Sequence, residues 1–177
     1  MTHPLERWPA RHRRPALIVV CAITLAVTVL GFVDPPLGDR DIVQFELAGS
    51  VSEAKEILAV WRSEDLIDDA KAIQLFDLVY PLIYASALAG LCLAAAGAWR
   101  RRGNTRAAAL GVVMAWVAVA AAGFDYVENI GLAVSLWDEP MSPWPQVAAV
   151  AASIKFAGIA AALLYALSGP LAAVRRA

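Results

Sequence analysis

The segment from Ala107 to Trp137, AAALGVVMAWVAVAAAGFDYVENIGLAVSLW, decides the fold class of this chain. It is longer than the stretch of about 20 apolar residues that a helix needs to cross roughly 30 Å of hydrocarbon. Its only charged residues are Asp125 and Glu128, which lie well inside the apolar run. The segment therefore predicts a membrane-spanning helix that carries two carboxyl groups within the bilayer.

Three further segments have the length and composition of membrane spans. The four predicted spans cover residues of about 15–33, 72–98, 107–137 and 146–174. A content of 60% hydrophobic and 18% charged residues, with a mean hydropathy of +0.60, argues against an ordinary soluble domain. We predict an all-α integral membrane protein with a four-helix bundle, in which a basic tail, 1–14, precedes a single membrane domain, 15–174.

The basic residues predict the orientation of these spans. They cluster before the first span, between the second and third, and after the fourth: Arg7, Arg11, Arg13, Arg14, Arg100, Arg101, Arg102, Arg106, Arg175 and Arg176. The connection 34–71 is instead rich in Asp and Glu. The positive-inside rule then predicts cytoplasmic N- and C-termini in the inner (plasma) membrane. The arginines are read as orientation signals and not as a nucleic-acid site.

The acidic outer loop, 34–71, contains a helix signal. Ser50 and Glu53 have the S-x-x-E spacing of a capping box. Apolar residues then recur at helical spacing up to Trp61, which predicts a short amphipathic helix over about 50–61. This helix either packs the loop against the membrane domain or covers a site as a lid.

Four ionisable residues lie within the predicted spans, where a charge costs about 2.5 to 3.5 kcal/mol on insertion scales. At 1.5 Å per residue, Asp77 lies about 9 Å from the outer end of its span, and Glu128 and Lys155 each about 13 Å. Asp125 lies about 18 Å from that end. Three helices thus carry charges at compatible depths in the outer half of the membrane, which predicts that these groups meet.

Helical spacing extends this polar cluster. Asn129 shares a face with Asp125 because the two residues are four positions apart. Pro81 cannot donate to the carbonyl of Asp77, which predicts a kink and a free backbone acceptor there. The predicted ligand-binding residues are Asp77, Tyr80, Tyr84, Asp125, Glu128, Asn129 and Lys155, and the candidates for catalysis are Asp125, Glu128 and Asp77.

No cofactor or metal site is predicted. The only histidines, His3 and His12, lie in the basic tail, and no Gly-rich phosphate loop is present. Cys21 and Cys92 are expected to be buried thiols on the reducing side. The predicted partners are membrane lipids, a second copy of the chain or another membrane protein, and not a nucleic acid.

Three functions remain open at this point. The polar cluster fixes helix packing in a structural or assembly subunit, or it binds or transports a lipid, an amine or a proton-coupled solute. As the alternative, a carboxyl pair performs acid–base catalysis on a lipid within the membrane. Because no reaction can be read from the sequence, whether the protein is an enzyme also remains open.

Overall fold

The computed structural model describes residues 3–7, 9–33, 37 and 41–174, and all regular secondary structure within them is helical. A 3₁₀ turn at Pro4–Arg7 precedes seven α-helices. They are α1 (Ala10–Val33), α2 (Ile42–Glu46), α3 (Val51–Ser63), α4 (Ile67–Phe76), α5 (Tyr80–Arg101), α6 (Thr105–Trp137) and α7 (Trp144–Val174). The predicted all-α class is confirmed for these residues.

Within the described residues, three helices are long and apolar enough to cross a membrane. They are α5, α6 and the part of α7 from Trp144 to Gly169. The helix α1 contains a shorter apolar stretch, Arg14–Leu30. It begins at Ala10, so it includes the last residues of the predicted tail. The membrane character of the chain is thus supported by three candidate spans.

The predicted second span, 72–98, is divided in the structure. The helix α4 ends at Phe76, and α5 starts only at Tyr80. Pro81 explains the interruption, because its ring displaces the carbonyl of the residue four positions earlier and its nitrogen has no hydrogen to donate. Asp77 consequently lies at the C-cap of α4, before the candidate span α5 and not inside it.

One compact unit contains residues 1–25, 82–122 and 156–177. Small residues dominate its core, including Ala89, Ala115 and Ala162. A Cβ added to Gly158 would lie only 3.2 Å from the Cβ of Ala121. The helices α6 and α7 therefore approach closely in this unit, where small side chains allow close packing.

A second unit contains residues 26–81 and 123–155. Its core includes Phe45 from α2, Leu58 and Trp61 from α3, and Leu132 from α6. The helix α3 starts where Ser50 Oγ accepts a hydrogen bond from Glu53 N, at 3.2 Å. This capping bond occupies one of the four N–H groups that a helix leaves without a partner at its start.

Candidate functional site: a buried ion cluster

The Nζ atom of Lys155 lies at the centre of a buried ion cluster in the second unit. It donates hydrogen bonds to Glu128 Oε1 at 2.8 Å and to Glu46 Oε2 at 3.1 Å. Asp125 Oδ1 forms a longer ion pair with it, at 3.6 Å. All four side chains are 5% exposed or less. The predicted meeting of Asp125, Glu128 and Lys155 is confirmed, and we call these residues and Glu46 the ion cluster.

The close approach of α6 and α7 brings Lys155 into reach of its partners. A Cβ added to Gly131 would lie 2.9 Å from the carbonyl oxygen of Trp144 and 3.1 Å from the Cβ of Ala148. Asp125 and Glu128 are one helical turn apart, so they present their carboxyl groups from one face of α6. A single long lysine side chain from α7 therefore contacts both.

Glu46 is the member of the ion cluster that comes from the acidic segment 34–71. It is the last residue of α2, which begins where Asp41 Oδ1 accepts a hydrogen bond from Gln44 N at 2.9 Å. Glu46 is 4% exposed, and its neighbour Phe45 is buried in the core. The apolar surroundings of Glu46 in IVQFELAG were the available signal, but nothing in the local spacing indicates a partner 109 positions away.

Asn129 connects the α6 face to the interruption between α4 and α5. Its Oδ1 accepts a hydrogen bond from Gln74 Nε2 at 2.8 Å. Its Nδ2 donates to the carbonyl of Asp77 at 3.0 Å. The backbone acceptor that Pro81 was predicted to free is thus occupied by a side chain of the same polar face. A buried carbonyl without such a donor would destabilise the fold.

A second side chain of α6 also donates a hydrogen bond to a carbonyl group of the interruption. The hydroxyl of Tyr126 donates to the carbonyl of Leu78 at 2.9 Å. Two successive carbonyls of the interruption, at residues 77 and 78, therefore receive donors from side chains three positions apart on α6. This arrangement compensates for helical hydrogen bonds that the interruption removes.

The Asp77 carboxyl is part of the electrostatic surroundings of the ion cluster. Burial, together with the nearby carboxyl groups of Asp125 and Glu46, raises the pKa of Asp77 to about 7, although the Lys155 ammonium opposes this effect. Burial also raises the pKa of Glu46, although the Lys155 ammonium opposes this effect. Both groups lie outside the three candidate spans. Proximity of carboxyl groups therefore makes the fold sensitive to their protonation.

The two predicted tyrosines lie in different places. The Tyr80 hydroxyl lies 2.8 Å from Thr28 Oγ1 of α1, and the Tyr80 ring stacks on Phe76. Tyr84 is buried on α5 and belongs to the other compact unit, the one that includes residues 82–122. For these two residues a ligand-binding role remains a prediction.

The ion cluster is covered by the protein itself. Glu128 is fully buried, with an exposed fraction of 0%, and Asp125 is 3% exposed. Two grooves on the surface of the described residues are lined by other side chains, one around Thr105 and one around Val150. Among the described residues, no group of three or more His, Cys, Asp or Glu side chains is arranged to hold a metal ion.

The charge pattern of the ion cluster is its main chemical feature. Within the described part of the chain, three carboxyl groups surround one ammonium group, and the hydrogen bonds of Lys155 go to two of them. Comparison of the chain with protein-family models, with curated proteins and with solved structures finds no match. The site itself is therefore the guide to function.

Proposed function

We propose that this protein is a structural or assembly subunit of the inner membrane. In this proposal the ion cluster holds the segment that contains α2 against both α6 and α7. One observation carries the proposal: Lys155 Nζ directs its hydrogen bonds at Glu46 and Glu128, from separate helices, in a fully covered position. A buried charge that already has internal partners is suited to fixing an arrangement of helices.

The proposed topology has four spans, with both termini in the cytoplasm. The apolar stretch Arg14–Leu30 of α1 supports a fourth span because its length reaches about 25 Å at 1.5 Å per residue. Arginines flank this stretch, the α5–α6 connection and the end of the chain. In this topology α3 is the amphipathic helix of an outer loop, and the ion cluster lies in the outer half of the bilayer.

The outward surface of the spans supports an assembly role. Only 28% of the apolar stretch of α7 and 39% of the apolar stretch of α6 is buried inside the chain. Large apolar residues such as Val150, Leu164 and Leu167 are more than half exposed. Lipid, a second copy of the chain or another membrane protein covers such a surface, and a small chain gains stability from the last two.

The covered position of the carboxyl groups argues against the two other functions. A general acid or base needs to come within hydrogen-bonding distance of its substrate, and Glu128 is fully buried. A binding site for an amine or a lipid headgroup needs a cavity beside its ligating groups. Asp77, the least buried of the three candidates for catalysis, is the one that a substrate would reach first.

Native mass spectrometry of the protein in mild detergent tests the proposal. Wild type is compared with an Asp125→Asn, Glu128→Gln variant and with a matched control, Glu56→Gln, Asp69→Asn, which changes two exposed carboxylates. We expect the cluster variant to be less abundant and less heat-stable, while its folded fraction carries the same lipids and the same oligomer or partner as wild type.

The contrary outcome is a small-molecule or lipid adduct that occurs in wild type and in the control but is lost from the folded fraction of the cluster variant. That result would make the ion cluster a ligand site and would replace the assembly proposal with a binding or transport function.

A further inference from the structure

The ion cluster places two carboxyl groups side by side. Glu46 Oε2 and Glu128 Oε1 bind the same nitrogen atom, at 3.1 and 2.8 Å. A side-chain hydrogen bond with Glu128 is also among the influences on the pKa of Glu46, which it lowers. Two ionised carboxylates have only acceptor atoms, so a hydrogen bond between them requires a proton.

Glu128 also has a buried oxygen atom that needs a donor. Its Oε2 is inaccessible to solvent and has no hydrogen-bond partner within the described part of the chain. A charged acceptor that is buried without a hydrogen-bond donor carries a free-energy cost. A proton shared with Glu46 removes this cost, because it converts a pair of acceptors into a donor and an acceptor.

The surrounding groups favour the same state. The charged and titratable groups that face the pair are Lys155 from α7, Asp125 from α6 and Asp77 from the end of α4. Of these, the carboxyl groups repel a second negative charge, and Lys155 already shares its ammonium hydrogens among the carboxyl groups of the cluster. The space between the Glu46 and Glu128 carboxyl groups is small and covered by the protein. A proton is the ligand that can bind there without a cavity.

We propose that the Glu46–Glu128 pair is a proton-binding site that holds one exchangeable proton at neutral pH. This role is separate from the assembly function, because a subunit with or without a partner protein can carry the proton. The bound proton would keep α2 attached to α6, and its loss would leave two adjacent negative charges beside one ammonium group.

Infrared difference spectroscopy of the purified protein detects the proton directly. A protonated carboxylic acid has a C=O stretching band distinct from that of a carboxylate, and the band shifts when H₂O is replaced by D₂O. In an Asp77→Asn background, which removes the carboxyl group whose pKa is about 7, we expect this band at pH 7, and we expect its loss when either Glu46→Gln or Glu128→Gln is added. The matched control is Glu56→Gln, an exposed carboxylate of α3, which should retain the band.

The proposal fails if the Asp77→Asn protein has no exchange-sensitive acid band at pH 7. It also fails if Glu46→Gln leaves the band unchanged, because the proton then belongs to another carboxyl group and is not shared by the pair.

A measurement on a single folded protein covers the case in which the glutamine variants do not fold. In an Asp77→Asn background, we expect unfolding at pH 7 to release about one proton, since unfolded glutamates are ionised at that pH. Calorimetry in buffers of different ionisation enthalpy counts the released protons. Unfolding without proton release would overturn the proposal even if the assembly function is correct.

Discussion

The side-chain amide of Asn129 donates a hydrogen bond of 3.0 Å to the main-chain carbonyl of Asp77, which Pro81 leaves without a helical donor. A side chain of α6 thus supplies the donor that this carbonyl lacks, and the same side chain accepts a hydrogen bond from Gln74. The polar face of α6 therefore has two tasks, because it also carries Asp125 and Glu128 of the ion cluster.

We expect Asn129→Ala to lower the free energy of unfolding by about 1–3 kcal/mol, because it removes the partner of the partly buried Asp77 carbonyl and of the buried Gln74 amide. In a Pro81→Ala background the cost should be smaller, since the restored N–H group can bond to the Asp77 carbonyl. Thermal unfolding in mild detergent of wild type, both single variants and the double variant measures the coupling. Additive effects would show that Asn129 does not compensate for the proline.

Removal of the ammonium group should have the largest effect on stability. We expect Lys155→Met to cost about 3–5 kcal/mol, because it leaves three buried carboxyl groups without their shared cation. Lys55→Met, at an exposed position of α3, is the matched control and should have little effect. Unfolding of the two variants by heat or by SDS provides the comparison. Equal stability of the two variants would contradict the proposal that the ion cluster holds the segment with α2 against α6 and α7.

The stability of the protein should depend on pH through Asp77. Its pKa in the folded state is about 7, whereas an unfolded aspartate titrates near about 4. Between these values the folded state binds more protons than the unfolded state, so the contribution of Asp77 to stability decreases as pH rises from about 4 to 7. We expect Asp77→Asn to be more stable relative to wild type at pH 8 than at pH 5. A difference between the two proteins that does not change with pH would argue against this assignment.

The contact between α6 and α7 can be tested at two glycines of the same helix. A Cβ at position 131 would lie 2.9 Å from the Trp144 carbonyl, whereas a Cβ at position 123 would have no atom within 4 Å among the described residues. We expect Gly131→Ala to destabilise the protein by about 1–3 kcal/mol through overpacking. Gly123→Ala should be neutral or should stabilise α6 by about 0.5–1 kcal/mol. The midpoints of thermal unfolding decide between these outcomes, and similar midpoints for the two variants would exclude a tight contact at Gly131.

The contact between α6 and α7 can be predicted from the sequence, because it depends on the spacing of polar residues within one helix and on the depth of Lys155 in the next. Asp125, Glu128 and Asn129 lie at helical spacing in an apolar run, and Lys155 lies at a compatible depth in the following span. A buried charge needs a partner, and few partners exist in an apolar segment. The predicted contacts that the structure contains are therefore those that spacing, depth and the cost of burial determine together.

Glu46 and the interruption before α5 were harder to predict for different reasons. Glu46 stands among many other acidic residues of the segment 34–71, and its burial depends on how α2 packs far along the chain. Pro81 predicts a kink, but a single proline does not show whether a helix bends or ends. The bonds from Asn129 and Tyr126 stabilise the ended form, and these are tertiary contacts.

Lys155 follows its three acidic partners along the chain, which affects the order in which the ion cluster can form. Glu46, Asp125 and Glu128 are all synthesised before Lys155, with Glu128 preceding it by 27 residues. A nascent chain whose α7 is still inside the ribosome thus carries the acidic members of the cluster without their cation. Synthesis of α7 supplies the missing charge, so a chain truncated before α7 would retain the three carboxyl groups of the cluster without their ammonium partner.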